Sequence, residues 1–223
     1  MSASLRSFDL QLAHSHAALA QLPEPQTLFK HLLMCLETPR PSNEPGVNNL
    51  ALITKKLLDF GASHGLDCAV DSAGNVRLRQ KASAGFEKAT AIVVQSHMDV
   101  VCSKSNDKVH DFAKDCVTPI VEGNVLRADR TTLGADDGIG VAAAMALFEE
   151  TDPEFVHGPL EAVFTVDEET TMGGQWKANT GSSFASPLLF YCFRSQSCHD
   201  FRASVRLCQA LRALTRLPSS SRA

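Results

Sequence analysis

Three short motifs hold the side chains that can do chemistry: Ser96-His97-Met98-Asp99, the glycine-rich stretch Thr132 to Gly140 around Asp136-Asp137, and Val166 to Gly174 with Glu168-Glu169. Each presents an imidazole or carboxylates where an apolar run stops, which is where open α/β sheets expose their binding sites. His97, with Asp99 two residues later, offers an imidazole ligand and a carboxylate able to orient it. Gly134 and Gly138 give the Asp136-Asp137 pair a tight backbone course, so that one Asp can bridge two metals while its neighbour caps a helix. Glu168 and Glu169 diverge on a turning backbone; one can bind a metal while the other acts as a general base on a water.

Each motif alone has a plainer explanation. His-x-Asp occurs freely in solvated loops. Two aspartates before a helix cap it and complement its dipole, each for about 1 kcal/mol or less. Paired glutamates usually make an acidic turn. The three together, each after a strand-like run, tip the balance towards metal-assisted hydrolysis at most of a two-zinc site.

The flanking sequence predicts the elements that must position these residues. Thr27 to Glu37 repeats Leu28, Leu32, Leu33 and Leu36 at helical spacing, and Pro39-Arg40-Pro41-Ser42 turns the chain after it. Asn48 or Asn49 caps a second helix with Leu50, Ile53, Leu57, Leu58 and Phe60 on its stripe, closed by Gly61 and Gly65. Short strands over Cys68 to Val70 and Asn75 to Arg79 join at Ser72-Ala73-Gly74. Ala89 to Gln95 contains Ile92-Val93-Val94, a continuous apolar run that reads as a central strand covered by helices. Thr118 to Val121 and Val125 to Ala128 form a hairpin, Gly138 to Glu149 a buried helix lined by small residues, and Leu160 to Val166 another strand. The fold expected is α/β, a mixed, mainly parallel sheet between helices.

Composition sets the class. The 223 residues suffice for one sizeable core, and the net charge of -4 does not suggest a nucleic-acid partner. No apolar run approaches bilayer-spanning length and the N-terminus lacks a signal-peptide pattern, so a cytoplasmic protein without a membrane partner is expected. The seven cysteines, an odd number without C-x-x-C spacing, read as free thiols. The sequence divides into a Ser/Ala/Leu/His-rich leader (1–22), a patterned region (23–174) and a Ser/Arg/Cys-rich tail (175–223). That tail holds seven basic residues against Asp200 alone, and Val205 to Leu217 has the spacing of a basic amphipathic helix.

From Pro23 to Gly174 the chain resembles the aminoacyl-histidine dipeptidases, a carnosinase-like branch of the two-zinc aminoacylase and glutamate carboxypeptidase group. The resemblance lies in Thr38 to Ser42, Asp71 to Arg79, Val93 to Val101, Asn106 to Asp115, Thr132 to Gly140 and Val156 to Glu161. It implies that His97 binds the first of two zinc ions, Asp99 orients His97, Asp136 bridges the ions, Glu169 binds the second, and Glu168 is the general base. The implied substrate is a small dipeptide, above all one ending in histidine. His110, within Asn106 to Asp115, is assigned to packing or a loop hydrogen bond.

The family pattern also implies a further Asp beyond the Glu pair, a His near the end of a longer chain, and an inserted dimerisation or lid domain. No acidic residue lies between Thr170 and His199, and neither His199 nor Asp200 sits in such a motif. The expectation is therefore an incomplete zinc-peptidase catalytic domain stopping near Gly174, a truncated product, monomeric or heterogeneous in assembly, of low or no activity and with an unpaired sheet edge. The alternative is a non-catalytic fragment or interaction protein that binds a full-length relative or another partner.

Overall fold

The computed structural model describes residues 15–17, 20, 22, 25–42, 50–123, 125–171 and 189–192. Asn48, Asn49 and Val205 to Leu217 lie outside these, as does most of the leader. In chain order the elements are α1 (Gln26–Leu36), α2 (Ala51–Ser63), β1 (Asp67–Val70), β2 (Val76–Gln80), β3 (Ile92–His97), β4 (Pro119–Glu122), β5 (Val125–Ala128), α3 (Ala135–Phe148), β6 (Leu160–Thr165), α4 (Glu168–Thr171) and β7 (Leu189–Cys192).

The five-stranded sheet runs β1-β2-β6-β3-β7. β3 pairs in parallel with β6, from Ile92↔Leu160 to His97↔Thr165, and in parallel with β7. The β1–β2 and β2–β6 ladders are antiparallel, so among the described residues the sheet is mixed in equal parts. The β-branched run makes β3 an inner strand, as its composition predicts, and Val93 to His97 are buried. β4 and β5 form the expected hairpin, separate from the main sheet.

β7 lies in the tail, where the sequence shows no clear strand-loop-helix order continuing the patterned region. Leu189-Phe190-Tyr191-Cys192, an aromatic-rich run suited to a pleated sheet, extends the sheet past β3 in the register Ile92↔Leu189 to Gln95↔Cys192. The strand that carries His97 is thereby flanked on both sides.

One face of the sheet packs on the helices. Val76, Leu78, Val94, Leu160, Ala162 and Phe164 meet Ile53, Leu57 and Phe60 of α2 and Val141, Ala144, Met145 and Phe148 of α3. The other side of α3, Ala142 and Ala143, packs on Leu28, Phe29, Leu32, Leu33 and Leu36 of α1. A helix buried on both sides needs apolar residues all round, and the alanines let α1 come close. Glu149, just past α3, ties the helices at their rim, with Lys30 Nζ at 2.9 Å, His31 Nε2 at 3.0 Å and His64 Nε2 at 3.3 Å.

The end of α2 is a Schellman closure: Gly65 at φ +64, its N–H donating to the Ala62 carbonyl and the Leu66 N–H to the Gly61 carbonyl. Gly61 itself is not a terminator. It lies inside the helix, where an added Cβ would stand 2.3 Å from Cys68 Sγ, so the position serves the close approach of α2 to the sheet. Cys35, Cys68, Cys102 and Cys116 are free thiols, as expected.

Candidate active site

The three motifs converge at the C-terminal end of β3 and β6. His97 is the last residue of β3, Asp99 follows two residues on, and Glu168 and Glu169 begin α4 just after β6. Asp136 and Asp137 lie in the first turn assigned to α3 but have non-helical backbone angles, and the peptide bond between them is cis. Regular helix starts at Gly138, where the sequence predicts it.

Asp136 and Asp137 have separate tasks. The Asp137 carboxylate is buried, accepting the His97 N–H at 3.1 Å and the Gly140 N–H at 3.2 Å. It caps the helix and fastens it to β3. Burial pushes its carboxyl well above the usual carboxylate range, against the pull of the His97 charge and amide. The Asp136 side chain, 39% exposed, turns to His97, with Oδ1 3.1 Å from Nε2.

His97 is held by its other nitrogen. Nδ1 lies 3.1 Å from the Asp99 main-chain carbonyl and 3.6 Å from Asp99 Oδ1. A carbonyl only accepts, so Nδ1 carries a proton and Nε2 is the atom turned to the carboxylates. Burial opposes charging of the ring, but hydrogen bonds to Asp136 and Asp99 and the charges of Asp137 and Asp99 outweigh it and raise its pKa to about 10. Sequence reasoning expects the Asp99 carboxylate to orient His97; the closer contact is the Asp99 main chain.

The Asp99 carboxylate, fully buried, accepts from Ser42 Oγ at 2.8 Å and from the backbone N–H groups of Glu168 and Glu169 at 3.2 Å each. It thus fixes the turn that presents both glutamates. Asn75 holds the same turn from the other side, its buried Oδ1 accepting the Val166 N–H at 3.0 Å. His110 packs its ring edge-on to Phe112 at 4.5 Å, consistent with the packing role read for it.

His97, Asp136 and Glu169 each bring a ligand atom within 4.8 Å of the others. Glu168 Oε2 lies beside them, 3.8 Å from His97 Nε2. Burial, then the charges of Asp136, Glu168 and Asp99, raise the Glu169 pKa against the pull of His97. One imidazole amid crowded carboxylates suits a divalent cation, which would relieve that repulsion. The donor set therefore fits the metal that the sequence implies.

No family model matches the chain. Over 156 residues, 70% of its length, it is 38% identical to the cytosol non-specific dipeptidase of Escherichia coli. Its structure superposes on an aminoacylhistidine dipeptidase from Vibrio alginolyticus with a TM-score of 0.68 and 31% identity, over 80% of the chain. The chain is a homologue of these two dipeptidases. This homologue spans about a third of the length of those relatives, 30% of the first and 35% of the second. Human carnosine dipeptidase 1 shares the fold at 12% identity, with a TM-score of 0.53 over 82% of this chain and 40% of its own. Among the described residues of the homologue, no helix is long and apolar enough to cross a membrane.

All five residues singled out by sequence, His97, Asp99, Asp136, Glu168 and Glu169, come together. Sequence reasoning missed Ser42 and Arg40. Both lie in the Pro-Arg-Pro-Ser turn, part of a stretch that carries the resemblance but to which the sequence assigns no site role, and nothing in the local pattern shows that their side chains reach the site.

Proposed function

We propose that this chain carries part of the site of a metal-dependent dipeptidase acting on dipeptides that end in histidine. The observation that carries the reading is the convergence of His97 Nε2, Asp136 and Glu169 at the end of β3, in a homologue of dipeptidases. In this reading residues 23–174 are the catalytic part, and His97, Asp136 and Glu169 hold zinc. Asp136, its side chain 39% exposed, has room to reach a second ion. Bound zinc supplies Lewis acidity to the scissile carbonyl.

The residues of the chain do the rest. Glu168, beside the ligand group and 20% exposed, takes a proton from the attacking water and returns it to the leaving amine. Asp99 holds the turn that places Glu168 and the ring that places Nε2. The described residues supply three of the five protein ligands that the family resemblance implies.

The test is hydrolysis of β-alanyl-histidine by the purified 223-residue chain with added zinc, beside Glu168→Ala. Slow turnover that falls by about 100-fold or more in the variant is expected, the usual scale for a general base. Turnover that survives in Glu168→Ala contradicts the role of Glu168. A folded, zinc-loaded chain without turnover contradicts the dipeptidase reading and favours a non-catalytic metal-binding protein.

A further inference from the structure

Arg40 joins the segments on which the site is built. Its side chain is buried, and its donors spread in three directions. Nε donates to the Cys35 carbonyl near the end of α1 at 3.4 Å, and Nη1 donates to the carbonyls of Met98 at 2.9 Å and Asp99 at 3.4 Å. Nη2 donates to the Gly134 carbonyl at 2.5 Å. All four acceptors are main-chain atoms. Two of them continue the strand that ends in His97, and one opens the loop that leads to Asp136.

The glycines that bracket the two aspartates make room for this guanidinium. A Cβ on Gly134 would stand 2.8 Å from Nη2, and one on Gly138 would stand 2.6 Å from it. Gly134 is also left-handed at φ +73, a conformation that favours glycine. The spacing of these glycines thus matches a planar cation lying against the loop, in addition to any freedom it gives Asp136.

We propose that Arg40 is a positioning residue: by spanning the Met98–Asp99 backbone and the Gly134 loop it sets the separation of His97 from Asp136, and hence the affinity of that pair for a divalent cation. The inference rests on the metal reading above. Only an arginine fits the task. Its rigid fork bonds carbonyls lying in different directions at once, whereas a lysine ammonium is a point charge on a flexible stem. Small displacements of ligands weaken a metal site, and groups behind the ligands typically change affinity 10- to 100-fold.

Zinc affinity of the full chain, measured by competition with a chromophoric chelator, tests this in wild type, Arg40→Lys, Gly138→Ala and the double variant. Far-UV circular dichroism of the metal-free proteins reports whether each is folded. Arg40→Lys is expected to keep the fold and weaken zinc binding by about ten-fold or more. Gly138→Ala, which pushes the guanidinium aside, is expected to weaken it too. The double variant should be little worse than either single one, because both changes undo one contact. The visible spectrum of the cobalt-substituted protein should change in both single variants.

Folded Arg40→Lys with wild-type zinc affinity and an unchanged cobalt spectrum overturns the inference alone. Fully multiplicative effects in the double variant overturn it too. Should Arg40→Lys not fold, wild-type affinity in Gly138→Ala overturns it. A wild-type chain that binds no zinc overturns the metal reading, and this inference falls with it.

Discussion

Gly140→Ala is expected to destabilise the chain by about 2–3 kcal/mol, although alanine is the better helix former by about 1 kcal/mol. The new Cβ would stand 2.3 Å from Asp137 Oδ1 and 2.8 Å from Asp137 Cγ. A flexible surface carboxylate would swing away at little cost. Asp137 cannot, because it is buried and bonded to the amides of His97 and Gly140. Displacing it uncaps α3 and leaves the His97 N–H without its acceptor, and the overpacking and lost bonds exceed the gain in propensity. For a chain of this size the melting temperature should fall by roughly 5–10 °C. A melting temperature equal to or above that of wild type would show that the Asp137 anchor does not hold α3 to β3.

Asp99→Ala should cost more, about 3–5 kcal/mol, the range for removing one member of a buried charged pair. The variant strands Ser42 Oγ and the N–H groups of Glu168 and Glu169, each of which now meets a carboxylate oxygen. Asp99→Asn keeps one accepting oxygen and should lose less, about 1–2 kcal/mol. The Asp99 main-chain carbonyl still accepts from His97 Nδ1 in both variants, so the ring keeps its nearest support. The two variants separate the duties of this residue. If holding the glutamate turn is the main one, both weaken zinc binding in proportion to the amide bonds they lose, and chemical denaturation ranks them Ala below Asn below wild type. Equal stability of all three would contradict the geometry.

The parts of the fold that sequence made legible are those governed by local pattern. Ile92-Val93-Val94 announces an inner strand because both faces of β3 are buried, and the alanine-rich stretch of α3 announces a helix packed on two sides. The site residues were legible because each stands at the end of such a run. Arg40 and Ser42 were not, since the partners that tie them to the site lie 57 to 94 residues away along the chain. Nothing in a Pro-Arg-Pro turn specifies a contact at that distance. Strand order was hidden for the same reason: β2 and β6 are neighbours although 79 residues separate them in the chain, and two of the four ladders of the main sheet are antiparallel. Gly61 shows the limit of composition, since a glycine placed for close packing looks like a helix terminator.

The tail illustrates a different limit. Its basic, serine-rich composition argues against a continuation of the α/β pattern, yet Leu189–Cys192 pairs with β3. Four residues are enough to add a strand when the neighbouring strand is already in place, and so short a run carries little periodic signal.

The central claim is that His97, Asp136 and Glu169 together hold a divalent cation. Equilibrium dialysis against zinc, followed by elemental analysis of the protein, tests it on the wild-type chain and on His97→Ala. The account predicts bound zinc in the wild type and loss of it in a variant that stays folded. A folded wild-type chain that takes up no zinc, or a His97→Ala chain that retains it, would contradict the account.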